Sequence, residues 1–177
     1  MWIERNFLEL EKGEKVVLSL RRHWLIFTKT ILFHLILLGV PVALYFVAMP
    51  LTWFNDLAIF FQSFILLFAS AYFLTICALF FSAWTNYQLD TWFVTNYRII
   101  DINQQGLFHR LISWQRLERI QDVTSETKGF WGTFFHFGYV YAQTAGEKAR
   151  FIFAQVPYPE EVAKKINLMT KNKNRNI

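Results

Sequence analysis

Two long runs without a charged side chain constrain this chain more than any other feature. Residues 30–55 carry no Asp, Glu, Lys or Arg, and neither do residues 57–86, so that only Asp56 separates them. A bilayer core of about 30 Å is crossed by roughly 20 apolar residues at 1.5 Å per residue, and each run is longer than that. Inside lipid every backbone N–H and C=O must find its partner within its own segment, which predicts helices for both runs. The expected spans are about 27–49 and 58–83, together forming a hairpin over 24–86 that leaves 1–23 and 87–177 outside the lipid.

Charge is distributed around the hairpin in one direction. Residues 1–29 hold six Lys or Arg and four Glu, residues 84–177 hold twelve bases and eight acids, and the connection 49–56 holds no base at all. Positive charge beside span ends favours the cytoplasmic side, so the expectation is a multi-pass protein of the cytoplasmic membrane with both termini in the cytoplasm. The first run starts far from Met1, is long and follows several Glu residues, which predicts an anchor rather than a cleaved leader. Cys77, the single cysteine, lies in the second run, so no disulfide can form within the chain.

Within the spans, Trp24 and Trp53 suit the headgroup region and Lys29 is shallow enough to snorkel. Pro41 is expected to kink the first helix by removing one backbone hydrogen bond. His34 is the one ionisable group deep in a span; with no second acid or histidine to complete a proton path, the expectation is a neutral ring bonded to a polar group of the second span or lying near the inner interface. Ser63, Ser70 and Cys77 recur every seven residues, and such small residues allow close helix approach. Their face is expected to meet Gly39 and Ala43 of the first span, or another subunit.

Outside the hairpin the pattern changes. Trp2, Ile3, Phe7 and Leu10 suggest a short amphipathic helix ended by Gly13, and 16–20 reads as extended; this N-terminal segment 1–23 either lies on the membrane or packs on the soluble part. Residues 90–95 and 98–103 are rich in β-branched and aromatic residues around a tight Asn96-Tyr97 connection. Gln104-Gln105-Gly106 is a further turn before a strand at 107–114. The stretch 116–126 reads as a turn and then a strand, and 128–137 as an irregular or briefly helical connector. Phe137–Thr144 and 149–156 around Ala145-Gly146 form a hairpin. Pro159, the Glu160-Glu161 pair and Lys164-Lys165 mark a helix start with two i,i+4 charge pairs, and Val162, Ile166 and Met169 form its buried stripe. The tail 171–177, KNKNRNI, is polar and basic and is expected to be disordered. The fold class is thus a two-helix transmembrane hairpin followed by a small α+β domain.

The run WFVTNYRIIDINQQGLFHRLISWQRLERIQDVTSE, with FHFGYVYAQTAGE and RFIFAQVP after it, resembles the bacterial pleckstrin-homology-like domain of membrane-flanked proteins, a group described by the YdbS-type and DUF304 names. The resemblance covers about residues 87–170 and rests on TNYRII with Gly106, on ERIQDV and on Phe137-Gly138 before QTAG. It implies a partly open β-barrel of about seven strands capped by a C-terminal helix, and it favours strand for 116–126. Some eukaryotic relatives of the fold bind phosphoinositides through a basic loop between their first two strands. The corresponding Asn96-Tyr97-Arg98 is too short and too weakly basic for that ligand to be carried over.

No metal spacing joins His23, His34, His109 and His136, and no phosphate loop, nucleophile elbow or HExxH is present, which points away from catalysis, metals and cofactors. Arg110, Arg116 and Arg119, with Lys148 and Arg150, are candidates for contact with anionic lipid headgroups, each attractive by about 1 kcal/mol near such a surface. Eight acids among the domain's charges argue against nucleic acid. Phe130, Trp131, Phe134 and Phe135 are expected to fill the open end of the barrel, the alternative being an interface with lipid or another subunit. The expected function is a membrane-anchored, non-enzymatic interaction module that self-assembles or binds other membrane proteins. Headgroup binding is the alternative.

Overall fold

The computed structural model describes residues 10–50, 52–144 and 150–175, with the backbone alone for 52–60, 62, 150, 174 and 175. The chain divides into two units, one formed by residues 24–87 and the other by the segment before Trp24 together with everything from Gln88 onward.

The helical unit contains α1 (Trp24–Ala48) and most of α2 (Thr52–Leu89). Trp24–Ala48 and Ser63–Leu89 are long and apolar enough to cross a membrane by length and composition. Their packing rests on large side chains. The Phe27 ring meets Phe80, Trp84 and Tyr87, and Ile76 is buried. Pro41 stands inside α1 and has no N–H to give the carbonyl four residues earlier. That carbonyl, of Leu37, accepts instead from the Tyr72 hydroxyl of α2 at 2.8 Å.

Two expectations for this unit change. Among the described residues His34 makes no hydrogen bond to the second helix. Its Nδ1 donates to the carbonyl of Thr30, one turn back on α1, at 2.8 Å, while its ring is buried edge-on to Phe80. Ser63, Ser70 and Cys77 do not meet Gly39 and Ala43, since all five are exposed and nothing lies within 4 Å of a Cβ built on Gly39.

The second unit is built from two antiparallel sheets. The first, in the order β1-β2-β3-β4, comprises β1 (Val16–Arg21), β2 (Thr91–Thr95), β3 (Arg98–Gln104) and β4 (Arg110–Arg116). The second comprises β5 (Ile120–Glu126), β6 (Phe137–Thr144) and β7 (Arg150–Pro157). A 3-10 turn (Leu117–Arg119) joins the sheets, α3 (Gly129–Phe135) joins β5 to β6, and α4 (Pro159–Arg175) follows β7. Alternation places Val94, Ile99, Val123, Val140, Ala142, Phe153 and Val156 in one core, which α4 closes with Val162, Ala163 and Ile166. The fold is of pleckstrin-homology type. The Ala145-Gly146 turn and the helix expected before Gly13 lie outside the described residues, save Leu10 onward.

Segment 1–23 is more than a flank to this unit, because its residues 16–21 are an edge strand paired along β2. Glu14 fastens it. The carboxylate accepts from Arg98 Nε at 2.9 Å and Nη2 at 3.0 Å, from the Thr95 hydroxyl at 2.7 Å and from the Glu11 N–H at 2.9 Å. Burial pushes its pKa up, but the Arg98 fork and the other donors outweigh this and hold it below the usual carboxylate value. The domain is therefore discontinuous in sequence: the first two strands are β1 and β2, and the helical hairpin is their connection. Asn96-Tyr97 joins the second and third strands.

Two further boundaries move. The strand expected from 107 starts at Arg110, because the β3–β4 turn extends to His109, whose carbonyl accepts from the Gln105 N–H at 2.8 Å. The basic tail is helical through Arg175 rather than disordered. Lys173 holds it, with its ammonium 4.4 Å from the Tyr97 ring centre and 3.8 Å from Glu118 Oε1, and cations suit a helix C-terminus.

Candidate functional site

The site is assembled on β4, an edge strand. Every pair in the β3–β4 register joins residues of the same parity, from Arg98 opposite Arg116 to Gln104 opposite Arg110. Just beyond the strand ends, the Leu117 N–H donates to the Tyr97 carbonyl and the Gln105 N–H to the His109 carbonyl, so the odd-numbered pairs are the hydrogen-bonded ones. The main-chain groups of Ile112, Trp114 and Arg116 consequently point away from β3. Among the described residues no strand pairs with that outer edge.

Side chains on this edge are apolar in the middle and basic at the ends. Leu111, Ile112 and Trp114 are all about half exposed. At the tip before the strand, Leu107 is partly exposed and Phe108 is 100% exposed. Arg116 and Arg119 line a cleft of about 240 Å3 with Trp114 and Gln115. The Arg98 guanidinium stands 5.7 Å from the Trp114 ring centre, which carries the Glu14 ion pair to the floor of the edge. Arg98 and Arg116 face one another across strands, an unfavourable like-charge pairing. Glu14 neutralises Arg98, whereas Arg116 and Arg119 have no acidic partner among the described residues. The cleft is suited to a carboxylate or phosphate oxygen held by two guanidinium forks.

The five basic residues expected to act together are only partly gathered. Arg116 and Arg119 share the cleft, and Arg110 lies at the far end of β4, about 20 Å away for six strand steps. Lys148 lies outside the described residues, and for Arg150 only its place in β7 is described. Trp114, Gln115 and Arg98 were not singled out by sequence. The odd–even pattern in LISWQ carried a hint, but whether β4 was an edge strand was not encoded locally.

The aromatic cluster is placed differently from the simplest expectation. Phe130, Trp131 and Phe134 are exposed on α3, Phe130 by 74%, and only Phe135 is half-buried. Phe130 stacks on Phe134 and Trp131 on Phe135. The backbone is tightly approached here, since a Cβ on Gly132 would lie 3.0 Å from the Phe137 carbonyl oxygen and one on Gly138 2.4 Å from that of Glu126. A wider concavity of about 460 Å3 lies between α3 and the start of α4, lined by Thr127, Thr133, His136, Tyr158, Glu160 and Glu161 among others. Among the described residues no three His, Cys, Asp or Glu side chains are grouped for a metal ion.

A helix-capped barrel of seven strands with an anion-suited cleft defines a pleckstrin-homology-type interaction domain, from a class that is typically non-catalytic. The chain belongs to the family described as bacterial PH domain, which it matches over residues 30–170. It is also similar to the crystal structure of a DUF1696 family protein with a pleckstrin-homology domain from Shewanella loihica PV-4, at 21% identity over 48% of this chain and 70% of the other, with a TM-score of 0.35. No curated protein matches the chain.

Proposed function

We propose that the protein is a membrane-anchored, non-enzymatic interaction module whose barrel works at the cytoplasmic face and binds protein through the β4 edge. The anchor reading is supported by the exposure of Leu35, Ile36, Phe46, Leu66 and Phe68, apolar side chains that water does not tolerate in such density. The connection 49–56 carries no base, which supports cytoplasmic termini. Only Arg22 and His23 separate β1 from α1, and only Asp90 separates α2 from β2, so the barrel is tethered at both ends of the hairpin. The observation that carries the binding reading is the outer edge of β4, which no strand among the described residues pairs with, apolar at Ile112 and Trp114 and flanked by arginines.

A photo-crosslinking residue placed at Ile112 or Trp114 of the full chain in native membranes should give discrete protein adducts, whereas one at Asn172 on α4 should not. Absence of adducts at both edge positions would refute protein binding there.

Anionic headgroup binding is a second reading, favoured by the exposed Leu107-Phe108 tip next to Arg110. A spin label at position 108 of the chain in nanodiscs should then move deeper when anionic lipid replaces neutral lipid, and the shift should be lost in high salt. Equal depth in both lipids would dismiss this reading.

A further inference from the structure

We infer that the β4 edge takes an extended acidic segment of a partner protein as an additional strand, with the pattern acid-x-apolar-x-apolar-x-acid. This rests on the protein-binding reading above and specifies the chemistry of the partner.

The main chain sets the mode of binding. The N–H and C=O groups of Ile112 and Trp114 and the N–H of Arg116 point off the sheet with no strand beside them among the described residues, while the Arg116 carbonyl caps the 3-10 turn that follows. An exposed row of such groups is a template for another strand. Neither a lipid headgroup nor a helix satisfies these groups at a strand's repeat.

Charge and spacing set the occupant. Arg110, Ile112, Trp114 and Arg116 share one side of β4, on the face where Ile100 and Ile102 form an apolar cluster with Phe93. A strand laid in full overlap places its first and seventh residues against the two arginines. Its third and fifth meet Ile112 and Trp114. A carboxylate at one end completes the cleft at Arg116 and Arg119, where the facing Arg98 already occupies the Glu14 carboxylate, and the one at the other end lies beside Arg110. A second copy of this chain is disfavoured by the same arithmetic: antiparallel pairing of β4 with itself about Ser113 sets Arg110 against Arg116 at both ends.

The test uses the full-length protein in neutral nanodiscs and a capped, fluorescent peptide Glu-Thr-Val-Thr-Val-Thr-Glu, with Lys replacing both Glu as the control. Saturable binding of the acidic probe alone is expected, together with slowed amide exchange at Ile112, Trp114 and Arg116. The amides of Leu111, Ser113 and Gln115, already paired with β3, should not change. Ile112→Pro removes an outward N–H without touching the β3 ladder, so it should weaken the probe about tenfold beyond Ile112→Ala while the fold survives. The R110E/R116E double variant should reverse the preference toward the Lys probe.

Binding without the odd–even exchange pattern would overturn strand addition, as would equal affinity for both probes or no saturable binding. Should those results coincide with persistent cross-links from Ile112, only the strand mode fails and the protein-binding reading stands. Protection of these amides by anionic lipid in the absence of probe would assign the edge to the membrane and overturn the inference.

Discussion

Replacing Arg98 by Met should unfasten β1 from the barrel. The Glu14 side chain is 0% exposed and shares its two oxygens among the Arg98 fork, the Thr95 hydroxyl and the Glu11 N–H. Taking away the guanidinium leaves a buried carboxylate whose remaining donors are neutral, a loss of about 3–5 kcal/mol. That is a large part of the 5–15 kcal/mol typical of a domain. Glu14→Met alone takes the carboxylate from the Arg98 fork, at about 1–3 kcal/mol, while the Thr95 hydroxyl keeps the Arg98 carbonyl as an acceptor at 2.9 Å. The double variant Glu14→Met/Arg98→Met should be more stable than Arg98→Met alone, because neither charge is then stranded.

The pH dependence follows from the same geometry. Glu14 is held below its ordinary value of 4.5, so its contribution is present above that pH and is lost as pH falls through the folded value. The gap between wild type and Arg98→Met should therefore narrow toward pH 4. The readout is amide exchange along β1 in the purified full chain, which reports opening of this strand directly. A cost below about 1 kcal/mol with β1 amides unchanged would refute the clasp and the assignment of β1 as an integral strand.

Three other outcomes are expected. Tyr72→Phe should destabilise the hairpin by about 0.6–1.7 kcal/mol in a detergent unfolding assay, and the cost should vanish in a Pro41→Ala background, where residue 41 regains an N–H for Leu37; an equal cost in both backgrounds would break the link. Burial, with Asp90 nearby, pushes Asp101 up to about 6, so the fold favours its protonated form and this site's contribution declines as pH rises from about 4 through 6. Asp101→Asn should accordingly gain about 1 kcal/mol at pH 7.5 after allowance for solvent screening, and flatten the stability profile over that window in denaturant titrations. Gly138→Ala brings a Cβ to 2.4 Å from the Glu126 carbonyl oxygen, a main-chain clash that should cost about 1–3 kcal/mol in thermal unfolding of the barrel; a silent substitution would mean that β5 and β6 separate freely there.

Local pattern was enough wherever one segment's own periodicity decides its state. The charge-free runs, the β-branched stretches at 91–95 and 98–104, and the Pro-Glu-Glu start of α4 each carry their signal within a dozen residues. Residues 128–137 were legible as an irregular or briefly helical connector, and both an inward and an outward course for its aromatics were open, since the choice depends on contacts with segments distant in the chain. The arginines were visible as candidates. Their sorting into a cleft pair, a distant end and two positions without described side chains required the strand order.

The sequence by itself determined that two apolar helices lie between a short basic segment and a β-rich domain, because hydrophobic length and residue period act over neighbours in the chain. Only the tertiary structure decided that Val16–Arg21 completes the barrel across the whole hairpin, paired along β2 and clasped to the start of β3 by Glu14 and Arg98, 84 residues apart. It also decided that β4 is an open edge. Pairing between strands is a relation between distant segments, and the hydrogen bonds that choose a strand's neighbour are made by a backbone common to every residue.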